Sequence, residues 1–300
     1  MTNFTNQYVP SIGLGTYNMS SEEAEFTTFH ALKHGYRHID TAAVYRNEDG
    51  VAKGVKTYLN DSDLKREDIF ITTKLWPGGL VKVDRIKDYT GTVKSFEKSL
   101  MRLNLDYIDL YLIHSPHGKT KRLEQWRALV DLKEAGKIKY IGVSNWGINH
   151  LSELKENDLP MPDANQIELH PWSQKPELVK FLRNEKIDII AYSSLVPLST
   201  WRHKDGENSK KTNEMHEIGL SENSPFKILA EKYDVTEAQF LLKWAVQNNY
   251  AVLPKSINIE RVKQNFELNF LIDQSDMEYI TTLDKGDSIT WEYGDPLKVK

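Results

Sequence analysis

The sequence predicts a single-domain α/β protein, a closed (β/α)₈ TIM barrel that covers residues 1–300. Two observations support this fold class. Short runs rich in Ile, Val, Leu and Tyr alternate with longer stretches of helical periodicity, which is typical of a parallel sheet covered by helices. Eight such units fit into about 250 residues, and this number suits a closed barrel better than an open doubly wound sheet.

The predicted strands are hydrophobic runs bounded by polar or turn-forming residues. Between them lie amphipathic segments, of which residues 92–104 and 123–136 have a clear helical pattern. The second segment ends at Gly136, where a left-handed C-terminal cap is expected. In chain order, the eight predicted strands are residues 11–15, 36–40, 69–74, 107–114, 138–144, 164–168, 187–193 and 250–254.

Composition excludes several classes of function. The net charge is −4, and Lys and Arg are interspersed with Asp and Glu, so we expect no nucleic-acid partner. No apolar run approaches the length of a membrane span, and residues 1–10 lack the pattern of a signal peptide, so we expect a cytoplasmic protein without a membrane partner. The absence of cysteine excludes disulfides, a thiolate nucleophile and sulfur-bound zinc. Redox chemistry would therefore require a cofactor.

Polar side chains follow most of the predicted strands at the point where each strand ends. In a (β/α)₈ barrel the active site forms at this carboxyl end of the strands. Each residue alone is better explained as a turn-forming or strand-capping group, but six strand ends with the same feature indicate a site. The residues are Asp40, Lys74, His114, Ser144, Asn145, Gln166, Glu168, His170, Tyr192 and Ser193.

The residues after the second, third and fourth strands favour chemistry on a carbonyl group. Tyr45 has an ordinary pKa of about 10, so it donates protons poorly at neutral pH unless a cation such as Lys74 favours its ionised form. Asp40 would hold the ammonium group, and His114 would donate a hydrogen bond to the carbonyl oxygen. The structural alternative makes Asp40 a helix cap, Tyr45 a packing residue and Lys74 a solvated side chain, with His114 satisfied by the backbone.

The sequence resembles the aldo-keto reductase family over nearly its whole length. This resemblance implies a (β/α)₈ barrel of monomeric type, with a weak homodimer left open, that reduces aldehydes and ketones with a nicotinamide cofactor and no metal. It also implies that Asp40, Tyr45, Lys74 and His114 are the catalytic tetrad. The motifs that carry it are GLGTY (13–17), GYRHIDTAAVYRNE (35–48), TTKLW (72–76), DLYLIHSP (109–116), IGVSNW (141–146), NQIELHP (165–171), AYSSL (191–195), LPKS (253–256) and RVKQN (261–265).

The resemblance further implies how a dinucleotide is held, since the sequence lacks a glycine-rich GxGxxG loop. Asn145 and its neighbours would hold the nicotinamide carboxamide, and Tyr192 would stack on the ring. Ser193 and Leu195 would contact the pyrophosphate. The full set expected at the nicotinamide and pyrophosphate is Thr16, Tyr17, Asp40, Ser144, Asn145, Gln166, Tyr192, Ser193 and Leu195.

A second group of expected cofactor contacts follows the eighth strand. By the resemblance, Lys255, Ser256 and Arg261 would surround the adenosine 2′-phosphate, with Gln264 and Asn265 near the adenine. Two cations and a hydroxyl suit a phosphate dianion, so NADPH is expected to bind more tightly than NADH. Gln264 stands where many family members have Glu. The alternative for this group is a solvated helix start.

The expected substrate walls are mainly aromatic, which favours apolar carbonyl compounds. Ser115 stands where many family members have tryptophan, and this change is expected to open the pocket. Trp291, in the C-terminal segment 286–300, is explained equally well as a packing anchor against the barrel. The residues expected to line the pocket are Tyr17, Val44, Trp76, His114 and Trp291.

Residues 199–224 form a polar segment that is too long for an ordinary connection. It follows the seventh strand on the active-site side, where the resemblance implies that it folds over the pyrophosphate, and the alternative is a disordered insertion. His203 and His216 lie far apart in this segment, so solvated side chains are expected rather than a metal site.

Two other functions stay open at this point. A Schiff-base aldolase would use Lys74 or Lys255 as a neutral amine in an apolar pocket. Asp40 opposes this for Lys74, because a paired carboxylate keeps the ammonium charged. The other alternative is a sensor subunit that binds the dinucleotide without turnover, which four intact polar residues at the strand ends disfavour.

Overall fold

The structure, a computed structural model, describes residues 6–81, 83–198, 217, 221–286, 290 and 295–300. Eight strands lie side by side in sequence order in one sheet, each parallel to the next. The predicted fold class is therefore confirmed. The strands are β1 (Leu14–Gly15), β2 (His38–Asp40), β3 (Phe70–Leu75), β4 (Ile108–Ile113), β5 (Ile138–Ser144), β6 (Ala164–Glu168), β7 (Asp188–Tyr192) and β8 (Ala251–Val252).

The sheet closes into a barrel where its first and last strands meet. Ile12 forms a parallel bridge with Val252, and the amide of Gly13 donates to the Val252 carbonyl over 2.8 Å. Gly15 allows the two backbones to approach closely, since a Cβ atom there would lie only 2.7 Å from the carbonyl oxygen of Leu253. The closed sheet brings all eight carboxyl ends to one face of the barrel.

The observed strand boundaries agree with the predicted ones to within two residues, except at the start of β1. The sequence predicts a strand from residue 11, whereas regular pairing begins at Leu14. Ser11 and Ile12 contact β8 alone, through one bridge and a 2.9 Å hydrogen bond from the Val252 amide to the Ser11 carbonyl. Pairing on one side only is too sparse to form a continuous ladder.

Helices cover the outside of the barrel. The first begins with a capping box in which Ser20 and Glu23 each accept a hydrogen bond from the other's backbone amide. The predicted helices 92–104 and 123–136 match α3 and α4, and Gly136 has the expected left-handed conformation with φ of +70°. No helix in the described ranges combines the length and hydrophobicity needed to span a membrane. The helices are α1 (Ser21–Lys33), α2 (Glu48–Asn60), α3 (Tyr89–Leu103), α4 (Arg122–Glu134), α5 (Ile148–Glu156), α6 (Pro176–Asn184), α7 (Pro225–Lys232), α8 (Glu237–Gln247), α9 (Ile259–Phe266) and α10 (Gln274–Thr281).

Apolar side chains form two layers, one between the sheet and the helices and one inside the barrel. Phe96 and Trp126 belong to the outer layer and are fully buried. Leu110, Ile190 and Leu253 belong to the inner layer. The barrel is therefore a packed core, and a site for a ligand is left only at the ends of the strands.

Three carboxylates accept hydrogen bonds from backbone amides away from the carboxyl ends of the strands. Asp109 accepts a 3.0 Å hydrogen bond from the amide of Ile71 on the neighbouring strand, and Asp163 accepts one from an amide of β5. Asp188 accepts from the amides of residues 7–9, which brings the N-terminal segment across this end of the barrel. Asp109 and Asp163 are also paired with lysine or arginine side chains. These carboxylates are satisfied by backbone amides and cations, so the polar groups at the opposite end are the candidates for chemistry.

Candidate active site

The four predicted catalytic residues converge at the carboxyl ends of β2, β3 and β4. Asp40 is the last residue of β2, and Tyr45 ends the short 3₁₀ turn Ala43–Tyr45 that follows it. Lys74 lies one residue before the end of β3, and His114 directly follows β4. Neighbouring parallel strands therefore bring all four side chains to one place.

Lys74 is fully buried and uses its ammonium group to tie this cluster together. Its Nζ atom donates to Asp40 Oδ1 over 2.5 Å and to the carbonyl of Thr41 over 2.9 Å, and it lies 3.5 Å from the hydroxyl oxygen of Tyr45. Asp40 Oδ2 accepts a further 2.8 Å hydrogen bond from Gln166 Nε2. Lys74 is therefore not solvated and Asp40 is not a helix cap, contrary to the structural alternative.

Burial acts in opposite directions on the two members of this ion pair. It raises the pKa of Asp40, while the charge of Lys74 and the hydrogen bonds from Lys74 and Gln166 lower it. It lowers the pKa of Lys74, while Asp40 raises it. Because each charge is surrounded by partners, the pair presents a fixed ammonium group to Tyr45 in a water-poor environment.

Tyr45 holds its proton more firmly than the sequence predicts. Burial raises its pKa well above the ordinary value, and the negative charge of Asp40 with the nearby hydroxyls of Tyr17 and Tyr192 acts in the same direction. A cation alone would favour the ionised form, whereas burial and the charge of Asp40 favour the protonated one. Tyr45 is therefore protonated at neutral pH, with an ammonium group 3.5 Å from its oxygen.

His114 presents a neutral imidazole to the same space. Burial, together with the charge of Lys74, lowers its pKa well below the ordinary value. Its ring lies edge-on to Tyr45, with 5.6 Å between centroids, and its Nδ1 atom is buried without a hydrogen-bond partner among the described residues. The Nδ1 atom is thus not satisfied by the backbone.

Aromatic rings extend this cluster into a wall. Tyr17 stands 5.1 Å from Tyr45, and Trp76 stands 5.7 Å from His114, both measured between ring centroids. Tyr17 and Val44 are each a little under half exposed, at 43% and 45%. Tyr17, His114 and Trp76 are therefore linked to one another through ring contacts with Tyr45 and His114, and Val44 directly precedes Tyr45 in the 3₁₀ turn. Trp291 lies outside the described residues.

Ser115 directly follows His114. Its side chain is fully buried, and its hydroxyl lies 3.0 Å from His117 Nδ1. A wider pocket from serine in place of tryptophan stays a prediction.

The residues expected at the nicotinamide form one hydrogen-bonded network across β5, β6 and β7. The hydroxyl of Tyr192 donates to Asn145 Oδ1 over 2.7 Å, and Asn145 Nδ2 donates to the carbonyl of His114 and to Ser144 Oγ. Ser144 Oγ donates to the carbonyl of Gln166, whose side chain reaches Asp40. The network is therefore continuous with the tetrad.

The remaining expected contacts around the nicotinamide and pyrophosphate flank this network. Thr16 is buried, and its hydroxyl donates to the carbonyl of Asp40 over 3.0 Å. Ser193 and Leu195 directly follow β7 and are half-buried. Ser193 has a left-handed backbone with φ of +56°, which marks a sharp turn at the strand end.

The residues expected at the adenosine end lie apart from the tetrad, around the start of α9. Ser256 Oγ accepts from the amide of Asn258, and the Asn258 side chain caps the helix by accepting from the amide of Arg261. Lys255, Arg261 and Gln264 are exposed, while Asn265 is buried. Two exposed cations beside a helix N-terminus form a suitable environment for a phosphate group.

Within the described ranges, no group of three His, Asp or Glu residues is arranged to hold a metal ion. His203 and His216 lie outside the described residues, as does most of the predicted 199–224 segment.

The sequence did not indicate what Glu168 and His170 do. Glu168 is buried at the end of β6, where Oε1 lies 3.0 Å from His170 Nε2. Its Oε2 atom accepts from both the amide and the hydroxyl of Thr290, at 3.1 and 2.8 Å. The pair therefore anchors the C-terminal segment to the barrel. No local signal predicts this, because the partner lies 122 residues away in the sequence.

A (β/α)₈ barrel with a protonated tyrosine, a buried lysine–aspartate pair and a neutral histidine at its strand ends defines a class of enzymes that act on carbonyl groups. The Aldo/keto reductase family model matches residues 11–285, and the chain belongs to this family. It is an NAD(P)H-dependent oxidoreductase that reduces carbonyl groups.

Individual members of this family are similar to this protein over nearly the whole chain. Glyoxal reductase of Bacillus subtilis (strain 168) is 38% identical over 283 residues, covering 94% of this chain and 91% of that protein. Methylglyoxal reductase DkgA of Yersinia pestis is 35% identical over 285 residues, with 94% and 92% covered. The crystal structure of a Bombyx mori aldo-keto reductase in complex with NADP superposes with a TM-score of 0.80 at 30% identity, covering 93% and 91%.

Proposed function

We propose that this enzyme uses NADPH to reduce small aldehydes and ketones, including α-dicarbonyl compounds of the glyoxal and methylglyoxal type, and that Tyr45 supplies the proton. The observation that carries the proposal is the placement of Lys74 Nζ between Asp40 and the Tyr45 hydroxyl, with the neutral His114 ring alongside. The names of the two bacterial relatives support the substrate class.

Each member of the tetrad has a distinct task in this proposal. NADPH, when bound, supplies the hydride that attacks the carbonyl carbon. Tyr45 donates its proton to the carbonyl oxygen, which completes the alcohol, and Lys74 stabilises the phenolate that remains. His114 donates a hydrogen bond from its neutral ring to the same oxygen and orients the substrate. Asp40 keeps the ammonium group charged and in place.

The residues around the tetrad fit a dinucleotide. The hydroxyl and amide groups of Ser144, Asn145 and Gln166 suit a carboxamide, which both donates and accepts hydrogen bonds. The Tyr192 ring is oriented by its bond to Asn145 and is available to stack on the nicotinamide. Thr16 and Tyr17 adjoin this position, Ser193 and Leu195 suit the pyrophosphate, and Gln264 and Asn265 suit the adenine.

The direct test measures NADPH oxidation by the purified enzyme with methylglyoxal and with an aromatic aldehyde. We expect turnover of both carbonyl compounds. NADPH binding, detected as quenched tryptophan fluorescence, without turnover of either compound would instead support the sensor alternative. A Schiff-base aldolase is disfavoured by the 2.5 Å contact of Lys74 with Asp40, and trapping with borohydride in the presence of substrate would reveal one.

We also propose that the enzyme works as a cytoplasmic monomer. All four tetrad residues and the network around them come from one chain, so the site does not need a second copy. The mass of the NADPH-bound enzyme in solution, measured by light scattering, tests this, and a stable dimer mass would contradict it.

Replacing Arg261 with alanine should weaken NADPH binding by about ten- to a hundred-fold. The two cofactors differ by one phosphate on the adenosine ribose, and only NADPH gains charge-assisted hydrogen bonds from Lys255, Ser256 and Arg261. Each such bond contributes about 1.5 to 3 kcal/mol, and about 1.4 kcal/mol is a factor of ten in affinity. Dissociation constants for NADPH and NADH, measured by fluorescence quenching, check the expectation.

Lys263→Ala is the matched control, because Lys263 is an exposed cation on the same helix whose charged group lies 4.0 Å from Glu267. We expect this variant to bind both cofactors as the wild type does, and Arg261→Ala to bind NADH normally. Equal weakening of NADPH and NADH by Arg261→Ala would show that Arg261 does not contact the 2′-phosphate.

A further inference from the structure

Trp76 borders the place where the substrate carbonyl would lie. It directly follows β3, two residues after Lys74. Its ring stands edge-on to His114, with 5.7 Å between centroids and 83° between the ring planes. Tyr17, Tyr45, His114 and Trp76 thus form an uninterrupted row of rings, in which Trp76 is the outer member on the β3 side.

The indole of Trp76 is held by a carboxylate that is not part of the tetrad. Its Nε1 atom donates to Asp84 Oδ2 over 2.7 Å. An indole has one N–H donor and no acceptor, so this bond uses its entire hydrogen-bonding capacity. The bond is charge-assisted when Asp84 is ionised, and bonds of this kind are roughly twice as strong as neutral ones. Asp84 therefore determines the orientation of the ring.

Asp84 can orient Trp76 because its own loop is closely tied. The amide of Gly79 donates to the Asp84 carbonyl over 3.0 Å, and the amide of Lys87 donates to the Pro77 carbonyl over 2.9 Å. Gly79 has φ of +87°, a conformation that favours glycine. These bonds tie residues 77–81 to residues 83–87, directly after Trp76.

Two further side chains brace the base of this loop. Lys87 Nζ donates to the carbonyl of Trp76 over 2.6 Å. Gln125, buried on α4, donates to the carbonyls of Pro77 and Lys87 over 3.2 and 2.8 Å. The backbone around Trp76 is thus attached to the helical layer. The bond to Asp84 then fixes the remaining freedom, which is the rotation of the indole itself.

We propose that Asp84 is a positioning residue for substrate selectivity, which acts by holding the Trp76 indole edge-on against His114. This inference rests on the proposed function, because it takes Trp76 as a wall of the site where the tetrad reduces its carbonyl substrate. The width of that site is assigned to the Trp76–Asp84 bond, which lies outside the tetrad. With the bond in place, the indole is a fixed wall beside His114. Without it, the indole can occupy other rotamers, so a small substrate loses a fixed wall while a bulky one gains space.

Asp84→Ala should raise the KM for methylglyoxal by about five- to ten-fold and reduce kcat much less, because the tetrad is untouched. The KM for a bulky aromatic aldehyde should change less or fall. Asp84→Asn keeps an acceptor oxygen and should recover most of the affinity for methylglyoxal. Asp131→Ala is the matched control, because it removes a carboxylate that accepts a 2.7 Å hydrogen bond from an aromatic side chain, Tyr89, on the helical surface.

Combining Asp84→Ala with Trp76→Phe shows whether Asp84 acts through Trp76. Phenylalanine at position 76 has no N–H donor, so Asp84→Ala should raise KM no further in a Trp76→Phe background. The proposal would be overturned if Asp84→Ala raised KM equally in the wild type and in Trp76→Phe, or if Asp84→Ala left KM unchanged.

A readout without substrate separates failure of this inference from failure of the proposed function. The indole N–H resonance of Trp76, assigned by its loss in Trp76→Phe, should shift in Asp84→Ala and not in Asp131→Ala. A resonance that does not shift overturns the positioning role even if the wild type reduces carbonyl compounds. Absence of turnover by a wild type whose resonance behaves as expected would instead refute the proposed function, and with it the role of Asp84 in selectivity.

Discussion

Tyr45→Phe should lower kcat for carbonyl reduction by about 10²- to 10⁴-fold, the usual effect of losing a general acid. The substitution removes only the hydroxyl oxygen, which lies 3.5 Å from Lys74 Nζ. The ring that contacts Tyr17 and His114 is retained, so we expect the fold to be unchanged. NADPH should bind within about two-fold of the wild-type affinity, because the proton is needed only in the chemical step.

Single-turnover kinetics with NADPH and methylglyoxal, together with the NADPH dissociation constant, measure the two effects separately. Tyr89→Phe makes the same chemical change on the helical surface, where the hydroxyl donates to Asp131 over 2.7 Å. It should leave kcat unchanged. Turnover by Tyr45→Phe at the wild-type rate would remove Tyr45 from the mechanism.

Lys74→Met should abolish detectable reduction and lower the free energy of unfolding by about 3 to 5 kcal/mol. Methionine fills a similar volume but leaves the Asp40 carboxylate buried without its cation, and breaking a buried ion pair in this way typically has a cost of this size. The remaining partner of the Asp40 carboxylate, Gln166, supplies one hydrogen bond over 2.8 Å and no charge. Chemical denaturation at several pH values measures the loss.

The pH dependence of this variant has a definite sign. Burial already raises the pKa of Asp40, and removing Lys74 eliminates the largest of the influences that oppose it, leaving the hydrogen bond from Gln166. A carboxyl group whose pKa is higher in the folded than in the unfolded protein binds its proton more tightly when folded. Lys74→Met should therefore regain stability relative to the wild type as the pH falls through the raised pKa of Asp40 in the folded variant toward the lower pKa of the unfolded chain.

Two comparisons make this expectation specific. The double variant Lys74→Met with Asp40→Asn removes the unpaired charge, so it should recover much of the stability without recovering activity. Lys133→Met breaks a pair with Asp163 in which the lysine side chain is 38% exposed, and it should have a cost of only about 0 to 1 kcal/mol. Similar losses for Lys74→Met and Lys133→Met would show that burial of the Lys74 pair has no special energetic role.

The fold and the location of the site were predictable because both depend on local patterns. A helix or strand period is visible within about a dozen residues, and the alternation of the two indicates parallel strands. Once the strands are parallel in a closed barrel, their carboxyl ends must share one face. Asp40, Lys74 and His114 each lie at or beside such an end, so the sequence alone determined that they meet.

The bonds that hold the site in shape were decided by the tertiary structure. Gln166 supports Asp40 across 126 residues, and Glu168 holds Thr290 across 122 residues. Even the bond from Trp76 to Asp84, only eight residues apart, depends on how one loop folds back on itself. No periodicity encodes such pairs, because they form only where packing brings two turns together.

The electrostatic state of Tyr45 shows the same division. The sequence places a cation close to this tyrosine, and from the cation alone a lowered pKa is expected. The direction of the pKa shift also depends on how deeply the hydroxyl is buried and on how near Asp40 lies. Both of these raise the pKa of Tyr45. The sequence by itself determined which charged groups gather at the strand ends. Only the tertiary structure decided the balance between them, because desolvation depends on the atoms packed around each group from every part of the chain.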